Sequence, residues 1–270
     1  ACTGAIPTRA MSPHVPIHHD EIIADVAACL ELGVQMFHLH MRDGEGAHTA
    51  DPEPYGRLIE AIRHLPDGRE AVLCVTTSGR VQAGFESRAR VLDLDGDMKP
   101  DMASLTLSSL NFMQSASVNA PDTIRRLAER MRERNIQPEL EIFDIGMARF
   151  AQVLVSEGVL EVQGYANVLL GNIASAQPVL LDVAAVLAAL PQGRMVSIAG
   201  IGRSQLTANV LGLIYADGVR VGLEDNLWYD AGRTVMADNV SLVRRVLRFA
   251  EEMERPMMTR QAVRARLGLK

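Results

Sequence analysis

Residues 31–43 read ELGVQMFHLHMRD: a glycine closes a helical pattern, and an apolar run with two histidines one residue apart follows it. Gly33 stands where helices commonly end, because a residue without Cβ enters the left-handed conformation at little cost. The run after it predicts a strand over 34–41. Residues two apart in a strand share a face, so His38 and His40 point to one side and Leu39 into the opposite layer.

The helix-to-strand step recurs along the chain. Strands are expected at 1–3, 34–41, 71–77, 102–108, 139–144, 165–170, 195–200 and 219–223. Between them the pattern predicts helices at 20–32, 52–65, 86–94, 121–134, 147–157, 179–189, 205–215 and 239–252. Asn119 and Pro121 mark one helix start, and Gly158 repeats the stop signal of Gly33. Eight such alternations predict an α/β fold of the closed (β/α)8 TIM-barrel type, with a doubly wound open sheet as the alternative. No linker or repeat divides the chain, so residues 1–270 read as one catalytic domain. The long connection 224–239, with Trp228, Tyr229 and Arg233, is expected to form a lid, a subunit contact or ordinary loop packing, and ARLGLK at 265–270 a closing helical turn.

Composition narrows the function. With 48% hydrophobic residues the chain has ample core material, and a net charge of -6 argues against nucleic acid or an anionic membrane as partner. Cys2, Cys29 and Cys74 are odd in number and far apart, which fits neither a disulfide framework nor a thiolate zinc knuckle. No signal-peptide pattern or 18-residue apolar run is present, so a reducing, cytoplasmic setting is expected.

Two histidines on one strand face can grip one ion, but a catalytic zinc site needs a third protein ligand. Glu224 supplies it: it follows the apolar strand VRVGL and would emerge at the top of the barrel, close to the second strand. The set His38, His40 and Glu224 suits zinc and also resembles the two-histidine, one-carboxylate arrangement used for iron. His14, His18, His19, His48 and His64 lack the strand placement and read as surface or loop residues. Arg42 and Asp43 could orient the histidines, bind an anion, or be surface charge. Arg220 shares strand parity with Glu224, so its fork could meet a substrate carboxylate or hold Asp225, which could then act as a base.

These pieces together resemble the β-keto acid cleavage enzymes. The matching segments are CTGA at 2–5, FHLHMRD at 37–43, TTSG at 76–79, MASLTLSSLNF at 102–112, PELEIFD at 138–144, GIGRSQ at 200–205 and VRVGLEDNLW at 219–228. The resemblance implies a zinc-dependent barrel, a homo-oligomer and often a tetramer, with His38, His40 and Glu224 as metal ligands. It implies a reaction in which a β-keto acid and acetyl-CoA give acetoacetate and a new acyl-CoA. Asp225 would take the proton, Arg220 would pair with it, Thr76 and Ser104 would donate to substrate oxygens, and Gly202 and Arg203 would shape the CoA region. One position departs: the aminohexanoate-cleaving member has a glutamate after TGA where this chain has Ile6, so a substrate with a neutral tail is expected here. Glu86, Glu141 and Asp144 are the acids that could replace that glutamate. The competing readings are a metal-dependent aldolase or hydrolase acting on an oxo acid, and a zinc-stabilised binding protein without turnover.

Overall fold

The structure, a computed structural model, describes residues 1–80 and 83–269. Its strands are β1 (Met36–Leu39), β2 (Val72–Val75), β3 (Met102–Thr106), β4 (Leu110–Asn111), β5 (Ala116–Ser117), β6 (Gln137–Ile142), β7 (Tyr165–Leu170), β8 (Met195–Gly200) and β9 (Gly218–Val219). Its helices are α1 (His19–Glu31), α2 (Pro52–Arg63), α3 (Phe85–Ala89), α4 (Pro121–Glu133), α5 (Ile145–Ser156), α6 (Leu180–Ala189), α7 (Gln205–Tyr215), α8 (Asn239–Glu252) and α9 (Arg260–Arg266). Seven strands form one parallel sheet in the order β1-β2-β3-β6-β7-β8-β9, while β4 and β5 make a small antiparallel hairpin above β3 in the chain. The sheet curls until its two outer strands face each other: His40, just after β1, has Nε2 3.2 Å from Oε1 of Glu224, which follows β9.

The expected first strand is not formed. Residues 1–3 lie against the segment after β9 through two backbone bonds, Ala1 N–H to Val221 C=O at 3.0 Å and Glu224 N–H to Ala1 C=O at 3.2 Å. The expected strand 219–223 is also cut short. Gly222 adopts φ +153°, and a Cβ there would stand 2.1 Å from the Ala1 carbonyl oxygen, so the chain bends where a ladder would otherwise continue. A cavity of about 230 Å³ runs along this seam, lined by Cys2, Met36, Val219 and Val246 among others.

Other differences are local. The expected helix 86–94 divides into α3 and a 3-10 turn at Arg90–Asp93. α4 is capped by Ala120, because Asn119 is buried and its side chain instead bridges Arg88, Ser108 and Ser117. Gly33 and Gly158 take the expected positive φ, +84° and +70°. The expected closing turn is the end of α9.

Alternate residues of each strand do different work. Phe37, Leu39, Leu73, Val75, Ala103, Leu105, Leu140, Ile142, Ala166, Val168 and Ile198 belong to the main core between sheet and helices. On the inner face, Val72, Cys74, Met102, Tyr165 and Met195 form a separate floor closed by Val263 and Leu267 of α9 and its end. Above that floor the inward positions turn polar: His38, Thr76, Ser104, Thr106, Glu139 and Asn167 are all buried. Active sites of such folds lie at this C-terminal end of the strands. Among the described residues no helix is long and apolar enough to cross a membrane.

Candidate metal and catalytic site

Two glycine-containing segments bring the site together. The bend at Gly222 turns Glu224 and Asp225 inward, and Gly4 of the CTGA segment packs beneath Glu224: a Cβ on Gly4, whose φ is +70°, would stand 2.6 Å from the glutamate Cγ. Arg42, buried, fixes that segment by donating to the carbonyls of Gly4 and Pro7. Asp43 is exposed and accepts from the Glu45 and Ala47 backbone, so it organises its own turn. Neither residue bonds to the histidines.

His38, His40 and Glu224 converge. The Nε2 atoms of the two histidines are 3.2 Å apart, and Glu224 Oε1 is 3.2 Å from His40 Nε2 and 3.9 Å from His38 Nε2. Donor atoms around a tetrahedral zinc, with bonds of roughly 2.0–2.1 Å, stand about 3.3 Å from one another. The spacing fits. The other oxygen of Glu224 is buried without a hydrogen-bond partner, as is Nδ1 of His40. His38 is oriented from behind, its Nδ1 2.7 Å from Glu139 Oε2, and Glu139 in turn accepts from Asn167 and Cys74. A carboxylate on the far nitrogen is the usual way to fix the tautomer and aim of a metal-binding imidazole.

Charge points the same way. Glu139, Glu141, Glu224 and Asp225 surround one buried guanidinium, Arg220. Burial opposes ionisation of Glu224, yet Arg220, His40 and His38 hold its carboxyl well below the usual range. Burial likewise opposes ionisation of Glu139, while His38 and Arg220 bring it down to about 2. Glu141 is the exception: burial and the neighbouring Glu139 push it up. Against its burial, Glu139 and Glu224 push His38 up; a divalent cation held by the two imidazoles would supply that positive charge in place of a proton.

Arg220 binds Asp225 with two parallel bonds, Nε to Oδ2 and Nη2 to Oδ1, each 3.0 Å, and its Nη2 also lies 2.8 Å from Glu224 Oε1. Of the two roles open to its fork, the structure places it on Asp225. This geometry links the base candidate to a metal-ligand candidate through one rigid cation.

The remaining predicted residues are more dispersed. Thr76 Oγ1 accepts from Ser78 N–H and Ser104 Oγ accepts from Thr77 N–H, so both hydroxyls hold strand ends in this state. Gly202 donates its N–H to the Asp225 carbonyl at 2.7 Å, which ties the GIGRSQ turn to the base candidate, while Arg203 is exposed. Ile6, two residues beyond Gly4, is 43% exposed. Of the three acids that could replace the missing glutamate, Glu86 pairs with Arg126 on the surface and Asp144 caps α5, leaving Glu141 as the interior one. The 224–239 connection packs on α8, where Arg245 meets both the carbonyl and the ring of Tyr229.

Sequence reasoning missed two residues. Glu139 lies in the quoted PELEIFD segment, whose alternation sets it on the face opposite Leu140 without saying which face is inner. His48, read as a loop or surface residue, is on a loop but has its ring 5.5 Å from that of His40, a bridge to Arg42 holding its backbone, and a buried Nδ1 without a partner. Burial, with His40 beside it, pushes His48 down to about 4.

The 3-oxoadipate:acetyl-CoA acetyltransferase of Cupriavidus necator is 35% identical over 273 residues, covering 100% of this chain and 93% of that protein. A 3-keto-5-aminohexanoate cleavage enzyme of Fusobacterium nucleatum is 32% identical over 272 residues, covering 100% and 96%. Among solved structures, a ternary complex of ObcA with a C4-CoA adduct and oxalate superposes with a TM-score of 0.82 at 20% identity, covering 96% of this chain and 68% of that one, a likeness of fold. The profile of the beta-keto acid cleavage enzymes matches residues 1–269, and the chain belongs to that family.

Proposed function

We propose that this protein condenses a β-keto acid with acetyl-CoA and releases acetoacetate and a new acyl-CoA. The observation that carries the reading is the convergence of His38, His40 and Glu224 beside an Asp225 locked by Arg220. The ligand types favour zinc over iron; held there, zinc would supply Lewis-acid polarisation of the keto group, lowering the cost of removing the adjacent proton. Asp225 takes that proton, and Arg220 keeps the carboxylate aimed while balancing its charge. The resulting carbanion attacks the acetyl thioester carbonyl; CoA then passes to the substrate's own acyl carbon, and carbon-carbon cleavage expels the acetoacetate carbanion, which takes the proton back from Asp225. Thr76 and Ser104 only accept in their strand-end bonds, so their O–H groups can donate to substrate oxygens. Gly202 and Arg203 form part of the CoA approach, Gly202 because its turn is bonded to the Asp225 backbone.

For the substrate tail we favour a neutral group, since Ile6 offers no partner to an ammonium and Glu141 is already bonded to Thr106. A carboxylate tail is the second reading. It is favoured by Arg80, half-buried over the Phe112 ring and within electrostatic reach of Glu224, and by the relative named for 3-oxoadipate. Mass spectrometry of acyl-CoA products from zinc-loaded protein, acetyl-CoA and a panel of neutral, anionic and cationic β-keto acids tests all of this. Acetoacetate with a neutral acyl-CoA is expected; a cationic product would reject the Ile6 argument, and CoA-independent cleavage would favour an aldolase.

The same reading extends to architecture and setting. Residues 1–3 serve as the eighth stave of a (β/α)8 barrel, supported by their two bonds to the β9 seam. The protein acts as a homo-oligomer, a tetramer by family resemblance, with the exposed Val179, Leu180 and Leu181 as one contact surface, which light scattering would test. Three buried, unpaired cysteines suit a cytoplasmic, reducing environment.

A further inference from the structure

The end of the sheet opposite the metal site carries a second concavity. It lies among the loops that precede β3, β6, β7 and β8, has a volume of about 710 Å³, and falls in the size range of small-molecule sites. Its lining contains six cationic side chains, Arg63, Arg69, Lys99, Arg132, Arg194 and Arg264, against three acids, Asp97, Asp101 and Glu161. The whole chain is acidic, at -6, so this local excess of positive charge runs against the general balance.

The acids are largely committed. Asp101 is shared by Arg63 at 3.2 Å and Arg264 at 3.0 Å, and Asp97 pairs with Arg69 at 3.1 Å. Among the described residues no carboxylate lies within ion-pair distance of Lys99, Arg132 or Arg194. Arg132 donates to the Gly158 carbonyl, and Arg194 to the Glu161 carbonyl. Arg194 is the telling member: it is only 6% exposed, and its Nε has no hydrogen-bond partner among the described residues. Burial pushes this guanidinium down to about 10 although the charge of Glu161 opposes the fall, so the cation is desolvated more than it is compensated. A buried cation of this kind is stabilised by an anion brought to it.

We propose that this cleft binds a small polyanion, one carrying at least two negative charges as phosphate or carboxylate groups, with Lys99, Arg132 and Arg194 as its recognition residues. The anion neutralises the excess positive charge and joins the loops before β3, β6, β7 and β8. The site stands on the face away from Glu224 and Asp225, so its occupancy is independent of metal and of acetyl-CoA.

The test is isothermal titration calorimetry of the full chain with pyrophosphate and, separately, with citrate, at matched ionic strength, with and without saturating acetyl-CoA. Binding at about 1 mM or tighter is expected for at least one of the two, and the better ligand identifies the phosphate or carboxylate source. The surface double variant Lys99→Ala/Arg132→Ala should weaken it at least about tenfold while the thermal transition of the free protein stays in place. Arg194→Gln should act in the same direction. No binding by the unaltered protein, binding that the double variant leaves unchanged, or binding that acetyl-CoA abolishes would overturn the proposal.

Discussion

The two faces of one strand in this protein are held by different physics. On β6, Leu140 and Ile142 face the helices, are fully buried, and are satisfied by contact alone. Glu139 and Glu141, one residue away in each case, face the inside of the curled sheet and are satisfied by His38, Asn167, Cys74 and Thr106. The apolar layer tolerates any side chain of suitable volume at modest cost. The polar layer does not, because a buried carboxylate that loses one donor keeps its desolvation penalty. Stability and chemistry are thus assigned to alternate residues of the same elements, and substitutions should separate them.

The largest effect is expected at the base candidate. Asp225→Asn keeps the shape and one acceptor for Arg220 but cannot take a proton; kcat should fall about 10²–10⁴-fold, the range of general-base catalysis, with metal content unchanged by elemental analysis. A variant that retains near-normal kcat would remove Asp225 from the base role. Glu224→Gln should differ in kind: zinc content should drop together with activity, since a ligand is lost.

A paired experiment on β6 sharpens the contrast. Glu139→Gln leaves the volume and a hydrogen bond to His38 but removes the charge behind the imidazole, and metal affinity should weaken by about 10–100-fold in competition with a chromophoric chelator. Leu140→Ala should do the reverse, costing about 2–5 kcal/mol in denaturant unfolding while the affinity of the folded protein for zinc is nearly kept. If both variants shifted both measurements alike, the division between the faces would be wrong. His48→Ala belongs between them: it removes a ring packed on His40, and a smaller loss of metal affinity is expected with little change in unfolding.

Much of this division is written in the sequence. FHLHM alternates apolar and polar residues through β1 and just beyond it, and that alternation puts His38 and His40 on one face. The parity argument also joined Arg220 to Glu224, though the segment proved to be a bend at Gly222 rather than a strand. Strict alternation and the bend both deliver residues 220 and 224 to the same place, so the right neighbours followed from an incomplete reason. The lack of a paired strand at 1–3 was not legible, because strand formation there depends on a distant edge and on two backbone bonds rather than on local preference. Glu139 was missed for a related reason: PELEIFD reads as alternating, but which face is inner depends on the way the whole sheet curls. Asn119 stands near the start of α4 as expected, but its side chain serves a buried network, because a residue suited to a helix end also suits such a network and only the tertiary partners, Arg88, Ser108 and Ser117, decide between them.

The smallest effect is expected where the strand leaves both layers. Asp144 ends the PELEIFD segment and accepts from Met147 N–H at 2.9 Å as the cap of α5, with no bond to the interior carboxylates. It is an acid five residues from Glu139, yet its function is local: it satisfies one of the open N–H groups at the helix start and faces the positive end of the helix dipole. Asp144→Ala should therefore cost about 1 kcal/mol in denaturant unfolding, and kcat and zinc affinity of the folded protein should stay unchanged. Asp144→Ser, which keeps a capping oxygen without the charge, should recover most of that loss. A drop in metal affinity for either variant would mean that the interior field reaches past the strand end and that the two layers are coupled through β6.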